Sequence, residues 1–256
     1  MYRIFLTGIR LSLLLVGLFI IGQPLLFAEE LTGDEIVRRA DEVMIGDSAK
    51  YDSVMVVKRL NVQDKIYKFR IYFKERGKRV LLRMFAPPEE IGKDLLLVDG
   101  NMWQFIPRIE RSVRIAGTQR FMGGDFNNSD LLKVSLVDDY QAELISTTQL
   151  DGEMCYYLRL KAKVQTATYD RVDYWVRTEG FIPFREAYFT LAGKKMKTLT
   201  YYDIGRLDNR TRPLRLVMQS SLTPDHLTTI NILRAEYDSK ISSAIFTRTY
   251  LERKRQ

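Results

Sequence analysis

The chain has 256 residues, 46% of them hydrophobic and 28% charged, with a formal charge of +8 at pH 7. Enough apolar residues to bury a sizeable core exclude a disordered chain. A single cysteine, Cys155, leaves no internal disulfide, and with one histidine, His226, it argues against a thiolate-imidazole zinc site and a Cys-His nucleophile.

The first residues read as an export signal. Arg3 and Arg10 flank a short basic start, Leu11 to Phe27 is nearly all apolar, and Ala28 precedes Glu29-Glu30. This is the layout of a secretory signal peptide cleaved after Ala28, with an uncleaved anchor as the alternative. Gly17, Gly22, Gln23 and Pro24 interrupt the run, which suits a cleavage region better than a continuous span. No cysteine stands at the cleavage point, so a periplasmic protein that is not itself a lipoprotein is expected. Removing residues 1–28 leaves 228 residues (256 minus 28) and a charge of +6, the charge of Arg3 and Arg10 being lost. Residues 29–256 are one domain's worth of chain.

Beyond the signal, Ile36, Val37, Ala40, Val43 and Met44 recur at helical spacing, with Asp34 as the expected N-cap and Gly46 as the stop. From Tyr51 the period becomes two. Tyr67, Phe69, Ile71 and Phe73 alternate with Lys68, Arg70, Tyr72 and Lys74, the pattern of a strand with one covered face. Val80, Leu82 and Met84 follow, Ala86-Pro87-Pro88 ends that strand, and Leu95 to Val98 starts another. Asp99-Gly100-Asn101 is a hairpin signal leading into Trp103 and Phe105.

Residues 118–134 interrupt the meander with Gly123-Gly124, a polar cluster and Leu131-Leu132, where Asn128 or Ser129 would cap a short helix. Seven further strand patterns follow between Tyr140 and Arg234, separated by short turns such as Asp151-Gly152 and Asp208-Asn209. Residues 241–251 read either as a short strand or as a helical tail. About ten or eleven antiparallel strands give a mainly β, α+β fold class. A sheet of that many strands curls under its own twist into an unclosed β-barrel, with the N-terminal helix and residues 118–134 as lid or plug.

The Lys and Arg residues are scattered along strands, which does not fit nucleic acid and leaves an anionic membrane surface, an acidic partner or plain solvation. The set Phe69, Ile71, Phe73, Leu82, Met84, Leu97, Trp103 and Phe105 faces the hollow by alternation. Composition alone does not say whether it touches a helix or a ligand.

A resemblance bears on that choice. Trp103-Gln104-Phe105-Ile106-Pro107 followed by Arg108, Arg111 and Arg114, then Gly123-Gly124-Asp125-Phe126 with Asp130-Leu131, resembles the aromatic strand, basic turn and Asp-Leu element of the LolA-like outer-membrane lipoprotein-sorting proteins. The order of signal, helix, meander, insertion and second meander agrees as well. The resemblance implies a periplasmic carrier of lipid or lipoprotein acyl chains, with the apolar set as cavity lining. Val43, Met44, Gly123, Gly124 and Leu131 would form a lid or gate, and Arg108, Arg111 and Arg114 a docking site, possibilities that simple solvated turns rival for the arginines. The dedicated carrier's barrel-lining arginine has no identifiable counterpart in the sequence. An inner-membrane transporter is implied as a partner, and neither cofactor nor metal is called for.

Other constellations are weaker. Gly123-Gly124-Asp125-Phe126 matches a cyclic-dinucleotide synthase signature by letters only. Asp125, Asn127, Asn128 and Asp130 have oxygen-ligand character but lack the glycine and distant glutamate of a calcium loop, so capping is preferred. No Gly-x-Ser-x-Gly elbow presents a serine to His226, and no catalysis is expected. Two rival classes remain: an outer-membrane barrel, disfavoured by Lys68, Arg70 and Lys74 on the outward face, and an accessory subunit of an RND-type or ABC-type transporter that carries no lipid.

Overall fold

The computed structural model describes residues 31–253, so the signal-peptide reading falls outside the described residues. Strands β1 (Ala49–Arg59), β2 (Val62–Lys74), β3 (Arg79–Ala86), β4 (Leu95–Val98), β5 (Asn101–Ile106) and β6 (Arg111–Arg114) form a first meander. A second runs through β7 (Tyr140–Leu150), β8 (Glu153–Ala162), β9 (Arg171–Arg177), β10 (Pro183–Phe189), β11 (Lys195–Leu207), β12 (Arg210–Ser220) and β13 (Leu227–Tyr237). The two join where β1 pairs antiparallel with β13, giving one sheet of 13 strands. Strands β6 and β7 are its edges, so the barrel is unclosed. A bilayer-spanning barrel has to close to satisfy its backbone, which this sheet does not do among the described residues.

The strand count exceeds the expectation partly because Arg111–Arg114, read as a basic turn, is the edge strand β6. Charge on an exposed edge discourages pairing with another chain. The hairpin signals form as expected. Asp99 (φ 50) and Gly100 (φ 71), like Asp151 (φ 50) and Gly152 (φ 89), have positive φ at both central positions, the turn whose twist matches the flanking strands.

Helix α1 (Gly33–Met44) is capped by Thr32, whose hydroxyl accepts from Glu35 N at 3.2 Å, rather than by Asp34. The Asp34 carboxylate instead accepts from Ala142 N at 2.8 Å, tying the helix to the edge strand β7. Helix α2 (Asn128–Leu132) has Asn127 as its N-cap, one residue earlier than anticipated, and the Asp130 carboxylate accepts from Asn127 N at 2.6 Å. Residues 241–251 resolve into a turn at Ser243–Ile245 and helix α3 (Arg248–Leu251).

Two apolar clusters lie on opposite faces of the sheet. The inner one gathers α1, residues 121–132 and inward side chains from β1 to β13. The outer one joins Leu81 and Leu96 to Phe246 and Leu251 of the C-terminal segment.

Candidate functional site

The inner face and the segment that crosses it form the candidate site. Residues 115–139 leave edge β6, traverse the hollow and enter edge β7. Phe121, Phe126, Leu131 and Leu132 of this segment are buried in the inner cluster, and the Phe121 ring meets Phe69 edge-on at 5.8 Å. Six members of the anticipated lining, Phe69, Ile71, Phe73, Leu82, Met84 and Leu97, are buried in this cluster.

Trp103 and Phe105 are not part of it, which corrects the expectation. On β5 they alternate with the inward Met102, so they face outward. Trp103 lies across from Leu96, and Leu96 from Leu81, in an outer row covered by the C-terminal segment. The Arg248 guanidinium stacks 4.0 Å from the Trp103 ring centroid. An aromatic-x-aromatic repeat fixes a shared face but not which face that is.

Polar groups hold the crossing segment in place. Asp125 accepts from the Thr228 hydroxyl of β13 at 2.8 Å, and its backbone N–H donates to that oxygen at 2.9 Å. Asp130 accepts from Tyr169 OH at 2.7 Å and pairs with Lys197, whose Nζ also donates to the Asp125 carbonyl at 3.0 Å. Asn127 donates to Tyr169 OH and Asn128 to the Ala116 carbonyl. The oxygen-rich cluster that suggested a calcium loop is thus engaged in bracing the segment internally and fastening it to Thr228, Lys197 and Tyr169.

At one tip of the segment, Tyr67 OH donates to the Met122 carbonyl at 3.2 Å and Arg59 to the Gly123 carbonyl. Of the anticipated gate residues, Gly123 has φ +69, where a side chain would be strained, whereas Gly124 is a close approach. A Cβ on Gly124 would stand 3.2 Å from both Thr228 Oγ1 and Val57 Cγ2. Val43 and Met44 lie at the C-terminal end of α1, half-buried, and Leu131 is buried under the sheet.

The C-terminus of α1 is held by β12. Arg212, 0% exposed, donates to the Met44 carbonyl at 3.1 Å and to Tyr237 OH at 2.8 Å, with its guanidinium 4.2 Å from the Tyr51 ring centroid. Arg210 donates to the Glu42 carbonyl at 2.9 Å. Cations suit the negative end of a helix dipole, and here they come from a neighbouring strand because the last turn of α1 has none. The helix also grips the crossing segment: the Asp41 carboxylate accepts from Ser135 Oγ at 2.9 Å and Leu136 N at 3.1 Å. Burial pushes the Asp41 carboxyl up to about 7. Burial likewise raises Glu186, although Tyr188 OH and Tyr201 OH both donate to it at 2.5 Å.

Between these groups lies a cavity of about 80 Å³ lined by Asp41, Tyr140, Tyr169, Tyr174, Glu186 and Tyr201 among others. Ligand pockets for small molecules usually measure about 300–1,000 Å³, so the crossing segment and α1 fill the hollow as it stands. Larger grooves, of about 600 and 430 Å³, open on the polar side near the unpaired edges and share Asn101, Arg114, Lys133 and Thr166. The anticipated docking arginines are all exposed, Arg108 in a turn and Arg111 and Arg114 on β6. Alternation puts Arg111 and Arg114 on opposite faces of that strand, so they do not form one patch.

Sequence reasoning missed Arg212, Lys197, Asp41 and Glu186. Each sits in an alternating or helical pattern where a charge reads as solvent-facing, and only the register turns it inward.

An unclosed antiparallel half-barrel with a helix and a chain segment in its hollow is a LolA-like fold. The solved structures agree: a LolA superfamily protein from Nitrosomonas europaea is 23% identical, with a TM-score of 0.78 over 86% of this chain and 99% of its own. A DUF1329 family protein from Desulfovibrio piger is also 23% identical, with a TM-score of 0.76 over 86% and 97%. A putative outer membrane lipoprotein-sorting protein domain from Vibrio parahaemolyticus is 19% identical, with a TM-score of 0.75 over 86% and 98%. At such identities the likeness is one of fold. A family model described as "Uncharacterized protein" matches residues 76–253, and the chain belongs to that family. No curated protein matches the sequence.

Proposed function

We propose that the chain is a non-catalytic periplasmic carrier that binds acyl chains of a lipid or lipoprotein on the inner face and delivers them towards the outer membrane. Cargo exchanges with residues 115–139: Phe69, Ile71, Phe73, Leu82, Met84 and Leu97 then meet hydrocarbon instead of Phe121, Phe126, Leu131 and Leu132. The observation that carries this reading is that a segment fastened largely by polar contacts buries four large apolar side chains against the inner face. Burying four such side chains is worth roughly 6–12 kcal/mol, and a sixteen-carbon chain about 12 kcal/mol at ~0.8 kcal/mol per methylene. The two occupants are therefore matched, and exchange needs no large net driving force. Gly123, Gly124 and Leu131 move with the segment, Val43 and Met44 on α1 form the other side of the gate, and an inner-membrane transporter loads it. The fold shared with the putative outer membrane lipoprotein-sorting protein domain of Vibrio parahaemolyticus supports lipoprotein sorting as the context, and the basic excess suits an anionic membrane as the destination.

Mass spectrometry of lipid extracted from the purified chain tests the proposal. A stoichiometric acyl-bearing species supports it, and lipid-free protein that also fails to take up added fatty acid overturns it. One observation favours the second reading, an accessory subunit that carries no lipid: the internal cavity is only about 80 Å³. Lipid-free protein that binds a transporter would support that alternative.

A further inference from the structure

The turns at the two ends of the sheet differ in chemistry. In an antiparallel meander, alternate turns share one end. The β1–β2, β10–β11 and β12–β13 turns and the connections after β3 and β5 are among those at one end, and contacts tie neighbouring ones. Lys58 pairs with Leu227 beside the β12–β13 turn, Ser221 N donates to the Met196 carbonyl at 2.8 Å beside the β10–β11 turn, and a Cβ on Gly92 would stand 3.2 Å from Pro107. The tip of the crossing segment reaches the same end, where Arg59 and Tyr67 hold the Gly123 and Met122 carbonyls.

Every one of these turns carries an exposed aliphatic side chain: Leu60 and Val62, Leu191, Leu222, Ile91 and Ile109. Leu191 is 87% exposed, Leu60 65% and Leu222 56%. At the other end the reversals are Arg76-Gly77, Asp99-Gly100, Asp151-Gly152, Asp208-Asn209 and residues 178–182, where Phe181 and Ile182 are half-buried. A scattered exposed leucine needs no explanation, but exposed aliphatics on each of five connections at one end do.

We infer that this end of the sheet is a membrane-contacting rim that inserts its aliphatic turn residues into the interface of a bilayer containing anionic lipid. The inference rests on the proposed delivery to a membrane and names the surface that meets it. Two features favour a bilayer over a protein partner. The protruding groups are single aliphatics on separate turns, which a fluid interface accepts in any arrangement. Protein interfaces instead favour aromatic, methionine and arginine anchors in a packed patch. Secondly, cations flank the most exposed members: Lys58 and Lys65 beside Leu60 and Val62, Lys194-Lys195 beside Leu191, and Arg108 beside Ile109. Aliphatic tips ringed by lysine are the chemistry that binds anionic headgroups over hydrocarbon. Glu89, Glu90, Glu110 and Asp225 stand beside Ile91, Ile109 and Leu222, and Asp64 lies 3.9 Å from Lys58, so the cationic excess is strongest around Leu191, with Arg59 and Lys65 leaving a smaller one around Leu60. With the tip of the crossing segment at this rim, docking brings the point where the segment would lift against the acceptor.

Flotation of the purified chain with vesicles of phosphatidylcholine and phosphatidylglycerol tests the inference. The triple variant Leu60→Asp, Leu191→Asp, Leu222→Asp should bind at least about tenfold more weakly, because three exposed aliphatics no longer reach hydrocarbon and three like charges face the headgroups. Its thermal unfolding should match that of the parent chain, since all three positions are exposed. Met154→Asp, exposed at the opposite end, should bind as the parent does, and pure phosphatidylcholine should bind the parent more weakly than the anionic mixture. The inference is overturned if the triple variant floats as well as the parent, if Met154→Asp is equally harmful, or if the parent does not float at all. That last result would leave the rim to a protein partner. Failure here with acyl lipid still found in the purified chain spares the carrier reading, and vesicle binding by a lipid-free chain spares the rim alone.

Discussion

Lys197 on β11 and Asp130 at the start of α2 form an ion pair whose side chains are 8% and 3% exposed. It is the ion pair among the polar contacts that fasten the crossing segment to the sheet, and removing one partner leaves an uncompensated charge in the interior. Lys197→Met should therefore cost ~3–5 kcal/mol. Hydrogen exchange should place the loss in residues 121–132, with the central strands keeping their protection. Adding Asp130→Leu to Lys197→Met should restore part of the stability, because the stranded carboxylate goes too. Uniform loss of protection across the sheet would contradict a local latch.

Arg212 gives a contrasting case. Its partners are a helix-end carbonyl and phenolic oxygens rather than a carboxylate, so replacing it strands no opposite charge, and Tyr51 OH also donates to the Met44 carbonyl. Arg212→Met should cost only ~1–3 kcal/mol, less than Lys197→Met. Denaturant midpoints of the two variants, measured side by side, check the order.

The two faces of the sheet make separable predictions. Phe69→Ala should cost ~3–5 kcal/mol as a core truncation and should alter acyl uptake. Trp103→Arg should leave uptake unchanged, because its ring packs on the outer face beneath Arg248. Loss of uptake in Trp103→Arg at unchanged stability would contradict this assignment of faces.

Asp41 sets a pH dependence. Its carboxyl is raised by burial from 3.8 to about 7, so between those values the folded chain holds a proton that the unfolded chain releases. Stability should fall as pH rises through that window and level off above about 7, by a few kcal/mol at most at ~1.4 kcal/mol per unit. Glu186, raised in the same direction, adds to the slope. Asp41→Asn should flatten the Asp41 share in melting curves taken across the window. An unchanged slope would mean that Asp41 is solvated.

Much of the architecture is legible in the residues because strand alternation, Asp-Gly turns and the helical spacing of Ile36, Val37 and Ala40 are local signals. The inner set from Phe69 to Leu97 follows from the same alternation. The side of Trp103 and Phe105 does not, because it depends on Leu96 and Leu81 lying across from β5 and on a C-terminal segment arriving from far along the chain. Lys197, Arg212 and Asp41 are hidden for the same reason: each acquires its role only when a distant backbone supplies the partner. The Asp125 and Asp130 motif is visible as letters, but its work as a fastening appears only with Thr228 and Lys197 in place.

The central claim, that residues 115–139 occupy the place of cargo, is tested most directly by locking that segment to β13. Asp125 and Thr228 already touch, and the native Cys155 is buried on β8 away from the exchange. The double variant Asp125→Cys, Thr228→Cys, once oxidised, should take up no radiolabelled palmitate and should regain uptake when the disulfide is reduced. Equal uptake by the oxidised and reduced forms would contradict the account.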